Sequence, residues 1–375
     1  MNSKDTGVIR HYFDWAASSY GNPSSLHSEG RQAKQTLENA RERCACVLNV
    51  PPENLYFTSG GTESNSIALF SNLAKKSNGR VIASLAEHSS VREGLETLDK
   101  MGKFTGSIAV DSCGRVTSDL LSKSLEKYGD VRFVCCMAVN NETGAISDIP
   151  SLKEVLREKN GAPIHLHCDL VQATGKIPVD IPLWEIDSAS ISAHKLGGPR
   201  GIGLLYFRRK PEIFFTGGGQ ENGVRGGTEN TEGAVLFADC LEKHARNDIV
   251  SNEYAKARKR WNKLIDAFNQ MERAVIIPGE REKQEARDGF SPYIIQVAFR
   301  GIPGEVMARA LDDLGFAVST GSACASSSPE RPVLVAMGVE EKLRIEGIRI
   351  SQGYDTTDEE IDLLLQAISE VLKFL

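Results

Sequence analysis

Short apolar runs rich in β-forming residues alternate with amphipathic helical segments through most of this chain. The runs predicted as strands cover residues 55–58, 80–84, 105–110, 131–138, 164–168, 188–192 and 203–207. Helical periodicity fills several of the intervals, over residues 89–101, 117–127 and 152–159. Strands joined by helices of this length form right-handed βαβ units. The pattern therefore predicts an α/β fold with a mostly parallel sheet and flanking helices.

The last third of the chain follows a different pattern. A long charged helical stretch over residues 229–271 leads to apolar strands near 275–277 and 293–299, and a helix follows over 304–314. A loop rich in serine and glycine covers 319–328, and a final helix runs from 358 to about 374. We therefore expect a large α/β domain over residues 14–249 and a small α+β domain formed by 1–13 and 250–375. The charged segment 279–289 is expected to be exposed.

Charge and hydropathy exclude several classes of protein. Lys and Arg total 44 against 50 Asp and Glu, a net charge of −6, which disfavours sequence-independent nucleic-acid binding. No run approaches the roughly 18 apolar residues of a membrane-spanning helix. The polar N-terminal segment lacks the apolar core of a secretory signal, so we expect a cytoplasmic protein. Eight cysteines are too dilute for a disulfide scaffold.

A glycine pair at a helix start is the first candidate site. Gly60, Gly61 and Thr62 follow a short apolar strand and open a helix. Free N–H groups and the positive end of the helix dipole favour an anion there, such as the phosphate of a small cofactor. The alternative is an ordinary capped helix start, with Glu63 as part of the cap.

A lysine directly after a buried strand is the second candidate. Partial desolvation of Lys195 would favour its neutral amine, which Schiff-base formation with an aldehyde requires. Ser192 and His194 could hold a phosphate beside it. The alternative is a surface lysine at a strand end.

Alternating polar residues on one strand form the third candidate. His165, His167 and Asp169 share a face of the strand, a donor set that suits zinc. Residues that alternate on one strand rarely supply three ligands to one ion, so a metal is disfavoured. Asp169 could instead hold a proton on a ring nitrogen at the carboxyl end of its strand, where α/β folds bind ligands. The third interpretation is ordinary polar edge residues.

The fourth candidate is a thiol. Cys324 lies among small polar residues, the setting of an accessible and reactive thiol rather than a core cysteine. A linker that happens to carry a cysteine is the alternative. Together the four candidates describe a pyridoxal-phosphate enzyme in which a thiol attacks the substrate.

The motifs make the chain similar to the cysteine desulfurase family, in the class V aminotransferase group of fold-type I pyridoxal-phosphate enzymes. The matching segments lie at 13–17, 21–25, 58–65, 87–88, 140–144, 167–172, 192–199, 217–220 with 225–230, 321–324 and 348–349. The resemblance implies pyridoxal 5'-phosphate as cofactor and L-cysteine as substrate.

The resemblance also assigns roles. Lys195 matches the lysine that bonds to the cofactor, and Asp169 matches the partner of its pyridine nitrogen. His88 matches the histidine stacked on the ring, and Gln172 matches a partner of the ring hydroxyl. The implied phosphate ligands are Gly61, Thr62, Ser192, His194 and, reaching the neighbouring subunit of a homodimer, Thr228.

The substrate side is implied in the same way. Asn141, which also matches a cofactor residue, and Arg349 match the site of the substrate carboxylate, for which an arginine fork suits the geometry. Cys324 matches the nucleophile that accepts the sulfur as a persulfide and leaves alanine. The long serine-rich loop resembles the branch that supplies sulfur to an acceptor protein for iron–sulfur cluster assembly or tRNA thiolation.

Two alternatives stay open at this point. A selenocysteine lyase, or another class V lyase or aminotransferase, would share most of the motifs, although Cys324 argues against a plain aminotransferase. A non-enzymatic scaffold predicts the loss of at least one of Lys195, Asp169, His88 or Cys324, and the sequence has all four.

One segment departs from the family pattern. Only Ser18, Ser19 and Tyr20 separate Ala17 from Gly21, where the family has a helix-bearing insert of about a dozen or more residues. The first helix of the family is therefore expected to be missing, which would change how the site is covered. A partner site on a longer C-terminal tail is expected to be absent too.

Overall fold

Two β-sheets organise the structure, a computed structural model that describes residues 11–19, 21–75, 79–159, 161–213, 217–321 and 331–375. The large sheet has the strand order β1-β7-β6-β5-β4-β2-β3. Its strands are β1 (Leu55–Thr58), β2 (Arg80–Ser84), β3 (Thr105–Ile108), β4 (Val131–Cys135), β5 (His165–Asp169), β6 (Ser188–Ser192) and β7 (Gly203–Phe207).

Strand direction in the large sheet confirms the predicted parallel architecture. β2 pairs in parallel with β3 and β4, β4 with β5, and β5 with β6. Only β7 runs the other way, antiparallel to both β6 and β1. β1 and β6 therefore share one direction, and the carboxyl ends of β1, β2, β4, β5 and β6 all lie at the same edge of the sheet.

Helices cover both faces of the large sheet. They are α1 (Ser28–Leu48), α2 (Gly61–Ala74), α3 (Ser89–Lys100), α4 (Ser118–Tyr128), α5 (Ile149–Glu158) and α6 (Thr231–His244). Leu37 of α1, Leu121 of α4 and Phe237 of α6 are buried in one core cluster, and Leu69 of α2 and Leu98 of α3 in another. Two apolar layers on one sheet are what buried parallel strands require.

The second sheet is small and antiparallel, with the order β10-β9-β8. Its part of the chain contains α7 (Asn247–Gln270), β8 (Ala274–Ile277), β9 (Ile294–Phe299), α8 (Gly304–Asp313), α9 (Pro332–Ala336), α10 (Glu341–Glu346), β10 (Gly347–Ser351) and α11 (Asp358–Phe374). Trp261, Phe299 and Ile348 belong to its own apolar cluster. The predicted α+β unit is therefore present, while the domain boundaries at residues 13/14 and 249/250 stay a prediction.

The structure corrects two expectations. The charged stretch 229–271 is not one helix, because α6 ends at His244 and Arg246 has extended backbone before α7. The segment 279–289 is not wholly exposed, because Arg281 is completely buried. Its guanidinium donates hydrogen bonds to the carbonyls of Thr143 and Ser291 and lies over an aromatic ring. A planar cation can thus be buried where a count of charges predicts solvation.

Two further points concern the helices of the chain. Among residues 11–19 and 21–27 the structure contains turns and bends but no helix, in line with the short segment after Ala17. No helix in the described part of the chain is both long and apolar enough to cross a bilayer.

A buried ion pair joins α1 to the segment after β7. Arg41 Nη1 lies 2.7 Å from Glu221 Oε2, and Arg41 Nη2 lies 2.9 Å from Glu221 Oε1. Glu221 also accepts a hydrogen bond from the backbone N–H of Phe57 at 2.8 Å. Because both charges are almost fully buried, each depends on the other for compensation.

We expect Arg41→Met to lower the free energy of unfolding by about 3–5 kcal/mol, since it leaves the Glu221 carboxylate buried without its partner. Urea denaturation followed by circular dichroism measures the loss. Arg43→Met is the matched control, because Arg43 lies on the same helix but pairs with the exposed Asp239 and Glu242. Its loss should stay within about 1 kcal/mol. Equal losses for the two variants would contradict this account of the ion pair.

Candidate active site

A cavity of about 210 Å³ opens at the edge where the parallel strands end. Its walls come from the segments that follow β1, β2, β4, β5 and β6, together with one residue of β10. The lining residues are Gly61, Thr62, Asn65, His88, Met137, Asn141, Asp169, Val171, Gln172, Ser192, His194, Lys195 and Arg349. Ligands of open α/β sheets bind at this kind of edge.

Ten residues singled out from the sequence lie in this one cavity. They are His88, Lys195, Asp169, Gln172, Gly61, Thr62, Ser192, His194, Asn141 and Arg349. Thr228 is exposed and does not line it. Cys324 lies outside the described residues. The role of each residue stays a prediction.

Asp169 is the buried anion of the cavity, at the end of the central strand β5. Its Oδ1 accepts a hydrogen bond from the backbone N–H of Val171 at 2.9 Å, and its Oδ2 accepts one from Asn65 Nδ2 at 2.8 Å. A carboxylate can accept about four hydrogen bonds, so these two donors leave capacity for a ligand. Asp169 can therefore hold a protonated ring nitrogen.

The other two polar residues of β5 do not form a metal site. His165 and His167 both contact Ser188 Oγ, each at 2.7 Å. Among the described residues no cluster of three or more histidine, cysteine or carboxylate side chains could hold a metal ion. The interpretation as polar edge residues is wrong as well, because β5 lies between β4 and β6 inside the sheet.

The start of α2 forms an anion cradle. Gly61 is buried there, and a Cβ added to it would lie 2.6 Å from Val171 Cγ2, so only glycine keeps this space open. Ser192 Oγ lies 2.9 Å from His194 Nδ1 on the neighbouring segment. Glu63 accepts a hydrogen bond from the N–H of Ser59, while the helix has Gly60 as its N-cap and no side-chain cap hydrogen bond, and the anion site stays a prediction.

Two lysines approach the cavity. Lys195 follows β6 and is exposed, so packing of the chain does not supply the partial desolvation that the sequence suggested. Lys176 lies behind it and donates to Gln172 Oε1 at 2.8 Å. Burial, with the nearby Lys195 and Arg349 cations, lowers the pKa of Lys176 to about 7. The bond from Lys176 orients Gln172 so that its amide N–H₂ group faces away from that lysine.

His88 caps α3 from the far side of the cavity. Its Nδ1 accepts a hydrogen bond from the backbone N–H of Ser90 at 3.2 Å, and Ser90 Oγ lies 2.9 Å from the same nitrogen. Burial lowers the pKa of His88, and the Lys195 cation lowers it further, while Asp169 opposes them. The ring is therefore neutral near pH 7.

Arg349 brings the small sheet to the cavity. Its Nη1 donates to the backbone carbonyl of Asn141 at 2.9 Å. No carboxylate of the described residues lies within 4.0 Å of its guanidinium, and burial lowers its pKa. Asn141 Oδ1 is buried beside it and accepts no hydrogen bond from the described part of the chain. This cation and this amide are suited to the carboxylate and amine of an amino acid.

The backbone that precedes Cys324 is tied to the same place. Ser319 pairs with Arg349, with its N–H 3.2 Å from the Arg349 carbonyl. Ser319 stands five residues before Cys324 in the sequence. On the other side of the segment, Arg331 Nη1 donates to the carbonyls of Arg344 and Gly347.

Sequence reasoning missed the roles of Asn65, Lys176 and Arg331. Asn65 belongs to the same segment as the glycine pair, and Lys176 stands four residues after Gln172. Their closeness in sequence to assigned residues was the signal that could have pointed to them. Nothing in the sequence pointed to Arg331.

The lining fits pyridoxal phosphate. The cavity holds an amine, a buried carboxylate that accepts hydrogen bonds only, and a glycine-lined helix start next to hydroxyl and imidazole groups. An aldehyde, a ring nitrogen and a phosphate are the groups that these side chains would bind.

Comparison with known proteins agrees with this donor set. Residues 3–364 match the family described as aminotransferase class-V. A cysteine desulfurase IscS of Vibrio cholerae serotype O1 is 36% identical over 357 residues, which cover 93% of this chain and 84% of that protein. The chain belongs to the cysteine desulfurase family.

Two solved structures share the fold of this chain. A NifS-like protein aligns with a TM-score of 0.84 and 34% identity, over 95% of this chain and 92% of that one. A structure described as SspA in complex with cysteine aligns with a TM-score of 0.73 and 27% identity, over 90% and 92% of the two chains.

We expect Gly61→Ala to weaken pyridoxal phosphate binding about tenfold or more, because the added methyl group fills the anion cradle against Val171. Absorbance titration of the cofactor-free protein measures the affinity. Gly279→Ala is the control, since its added methyl group meets no atom within 4 Å. Wild-type affinity in Gly61→Ala would show that no phosphate lies there.

Proposed function

We propose that the chain converts L-cysteine to L-alanine with pyridoxal 5'-phosphate, and that the sulfur is left as a persulfide on Cys324. The observation that carries the proposal is the single cavity in which Lys195, Asp169 and Arg349 face one another from three separate segments. Membership of the cysteine desulfurase family supports the activity, and no observation favours selenocysteine as the substrate.

The cofactor would lie between the start of α2 and the end of β5. Gly61, Thr62, Ser192 and His194 would bind its phosphate, and Asp169 its ring nitrogen. Lys195 would bond to its aldehyde carbon, and Gln172 would donate to its ring hydroxyl. When bound, pyridoxal phosphate draws electrons from the substrate Cα and so weakens the Cα–H bond.

Lys195 and His88 are the proton carriers of the proposal. Lys195 is exposed at the cavity, so its amine can remove a proton at Cα and return one to the product. His88 is neutral near pH 7, and its Nδ1 is already engaged by Ser90. Its second ring nitrogen, Nε2, is therefore the atom that can exchange a proton with the substrate.

Arg349 and Asn141 would bind the substrate carboxylate. The guanidinium of Arg349 lacks a carboxylate partner among the described residues, so an amino-acid carboxylate compensates its charge. The bond from Arg349 to the Asn141 carbonyl fixes the guanidinium in place. An amino acid held at this end has its Cα directed toward Lys195.

The sulfur transfer would occur on Cys324. Its thiolate attacks the sulfur of the bound cysteine, the new S–S bond forms as the Cβ–S bond breaks, and Cβ takes up a proton. L-Alanine and a Cys324 persulfide result. The pairing of Ser319 with Arg349, five residues before Cys324, supports an approach of this thiol to the substrate.

Three parts of the proposal concern partners. A sulfur-acceptor protein, such as an iron–sulfur scaffold or a sulfur carrier, would take the persulfide sulfur for iron–sulfur cluster assembly or tRNA thiolation. Thr228 is exposed, which suits contact with the phosphate of a second subunit in a homodimer. A cytoplasmic location and the absence of direct nucleic-acid binding stay predictions.

We expect the cofactor-loaded protein to form alanine from L-cysteine when a reducing thiol is present. Cys324→Ala should form no detectable alanine and keep its cofactor absorption band. Cys46→Ala removes an exposed thiol of α1 and should keep the wild-type rate, which makes it the matched control. Alanine formation measured by chromatography decides the question, and wild-type activity in Cys324→Ala would rule out its role as the nucleophile.

A further inference from the structure

A connected set of buried polar side chains extends from the cavity into the large sheet, and the proposed reaction does not use it. We call it the Asn65 network. Its links join Asn65 Nδ2 to Asp169 Oδ2 at 2.8 Å and to Ser90 Oγ at 3.0 Å, Asn65 Oδ1 to His167 Nε2 at 3.0 Å, and Ser188 Oγ to His167 Nδ1 and His165 Nε2 at 2.7 Å each.

The direction of every bond in the network follows from Asp169. A carboxylate only accepts, so the Asn65 amide N–H₂ group must face it and the Asn65 carbonyl oxygen must face His167. His167 therefore carries its proton on Nε2. Its bare Nδ1 accepts from the Ser188 hydroxyl, and Ser188 in turn accepts from His165 Nε2.

The second N–H of Asn65 extends the same logic to His88. It donates to Ser90 Oγ, so the Ser90 hydroxyl proton is free to point at His88 Nδ1, 2.9 Å away. The backbone N–H of Ser90 donates to that nitrogen as well. His88 Nδ1 is then an acceptor, and the proton of the neutral ring is on Nε2.

The network is consistent with neutral imidazoles. Burial lowers the pKa of His167 to about 3 and holds that of His165 well below its usual range. Asn65, His167 and Ser188 are each at most 1% exposed, so water does not compete for these bonds. Each ring then has one proton to donate, as the bond directions require.

We propose that Asn65 is a positioning residue for both Asp169 and His88: its amide N–H₂ group donates to Asp169 Oδ2 and, through Ser90, keeps the proton of His88 on Nε2. This inference rests on the proposed function, in which Asp169 meets the ring nitrogen and His88 exchanges a proton. The Asn65 amide thereby makes Asp169 Oδ2 a hydrogen-bond acceptor and leaves His88 Nε2 as a donor, on opposite sides of the same cavity.

Other charged groups also face Asp169. Glu87 and His88 lie at the start of α3, Lys195 follows β6, and Arg349 lies on β10. Burial, and then the Asp169 charge, raise the pKa of Glu87 to about 8. Asn65 and the backbone N–H of Val171 donate the hydrogen bonds to the Asp169 side chain, and Lys195 lines the same cavity.

The histidine tautomers of the wild-type protein test the directions of these hydrogen bonds. ¹⁵N NMR of the full chain, with and without pyridoxal phosphate, distinguishes a proton on Nδ1 from one on Nε2. Single His→Gln variants assign the signals of His88 and His167. We expect Nε2 to carry the proton in both rings, and a proton on Nδ1 of either ring would overturn the proposal.

Affinity for pyridoxal phosphate tests the consequence. Asn65→Ala should bind it at least about tenfold more weakly, because a hydrogen bond to a charged group is lost. Asn65→Asp keeps the side-chain shape but faces Asp169 with oxygen, so it should bind at least as weakly as Asn65→Ala.

Two controls separate this role from packing. Asn72→Ala removes another buried amide of α2, which donates only to Leu69, and should bind pyridoxal phosphate as the wild type does. Ser188→Ala touches neither the cavity nor Asp169, changes little volume and should still weaken binding several-fold by releasing the His167 tautomer.

The outcomes are distinguishable. Wild-type affinity in Asn65→Asp would overturn the positioning role and leave a packing role. If the wild-type chain takes up no pyridoxal phosphate, the proposed function fails with the role that rests on it, whereas the tautomers still decide the hydrogen bonds themselves.

Discussion

The carboxyl ends of five parallel strands meet at one edge of the large sheet, and the arrangement of every residue in the cavity depends on that alignment. Because β1, β2, β4, β5 and β6 share one direction, the segments after them emerge side by side. Residues from distant parts of the sequence, such as Gly61, Asp169 and Lys195, thereby line one cavity of about 210 Å³. β7 lies between β1 and β6 and is antiparallel to both, so β1 and β6 have the same direction in the sheet.

Buried charge at this edge requires specific partners. Asp169 accepts hydrogen bonds from an amide and a backbone N–H, and the Arg349 guanidinium donates one to a backbone carbonyl. Burying a charge in this way is costly, which is justified when a ligand supplies the opposite charge. The same principle explains Arg281, whose cation is satisfied by two carbonyls and an aromatic ring and holds the segment after β4 in place.

Much of the fold and the cavity could be predicted because the signals are local. Strand periodicity located β2, β6 and β7 to the residue, and the motifs, together with the family resemblance, pointed to ten lining residues. Contacts between distant segments were not predictable from such patterns. The division of α6 from α7 has no glycine or proline to mark it, buried Arg281 looks like a solvated charge, and Asn65 acts through His167 about a hundred residues away.

The central claim is that the amine of Lys195 and the carboxylate of Asp169 hold one pyridoxal phosphate between them. The most direct measurement is borohydride reduction of the cofactor-loaded protein, followed by proteolysis and mass spectrometry of the labelled peptide. Lys176, half-buried nearby with its pKa lowered to about 7, is the internal competitor. The account predicts a stable phosphopyridoxyl group on Lys195 alone, lost in Lys195→Ala. Label on Lys176 in the wild-type protein, or no label at all, would contradict it.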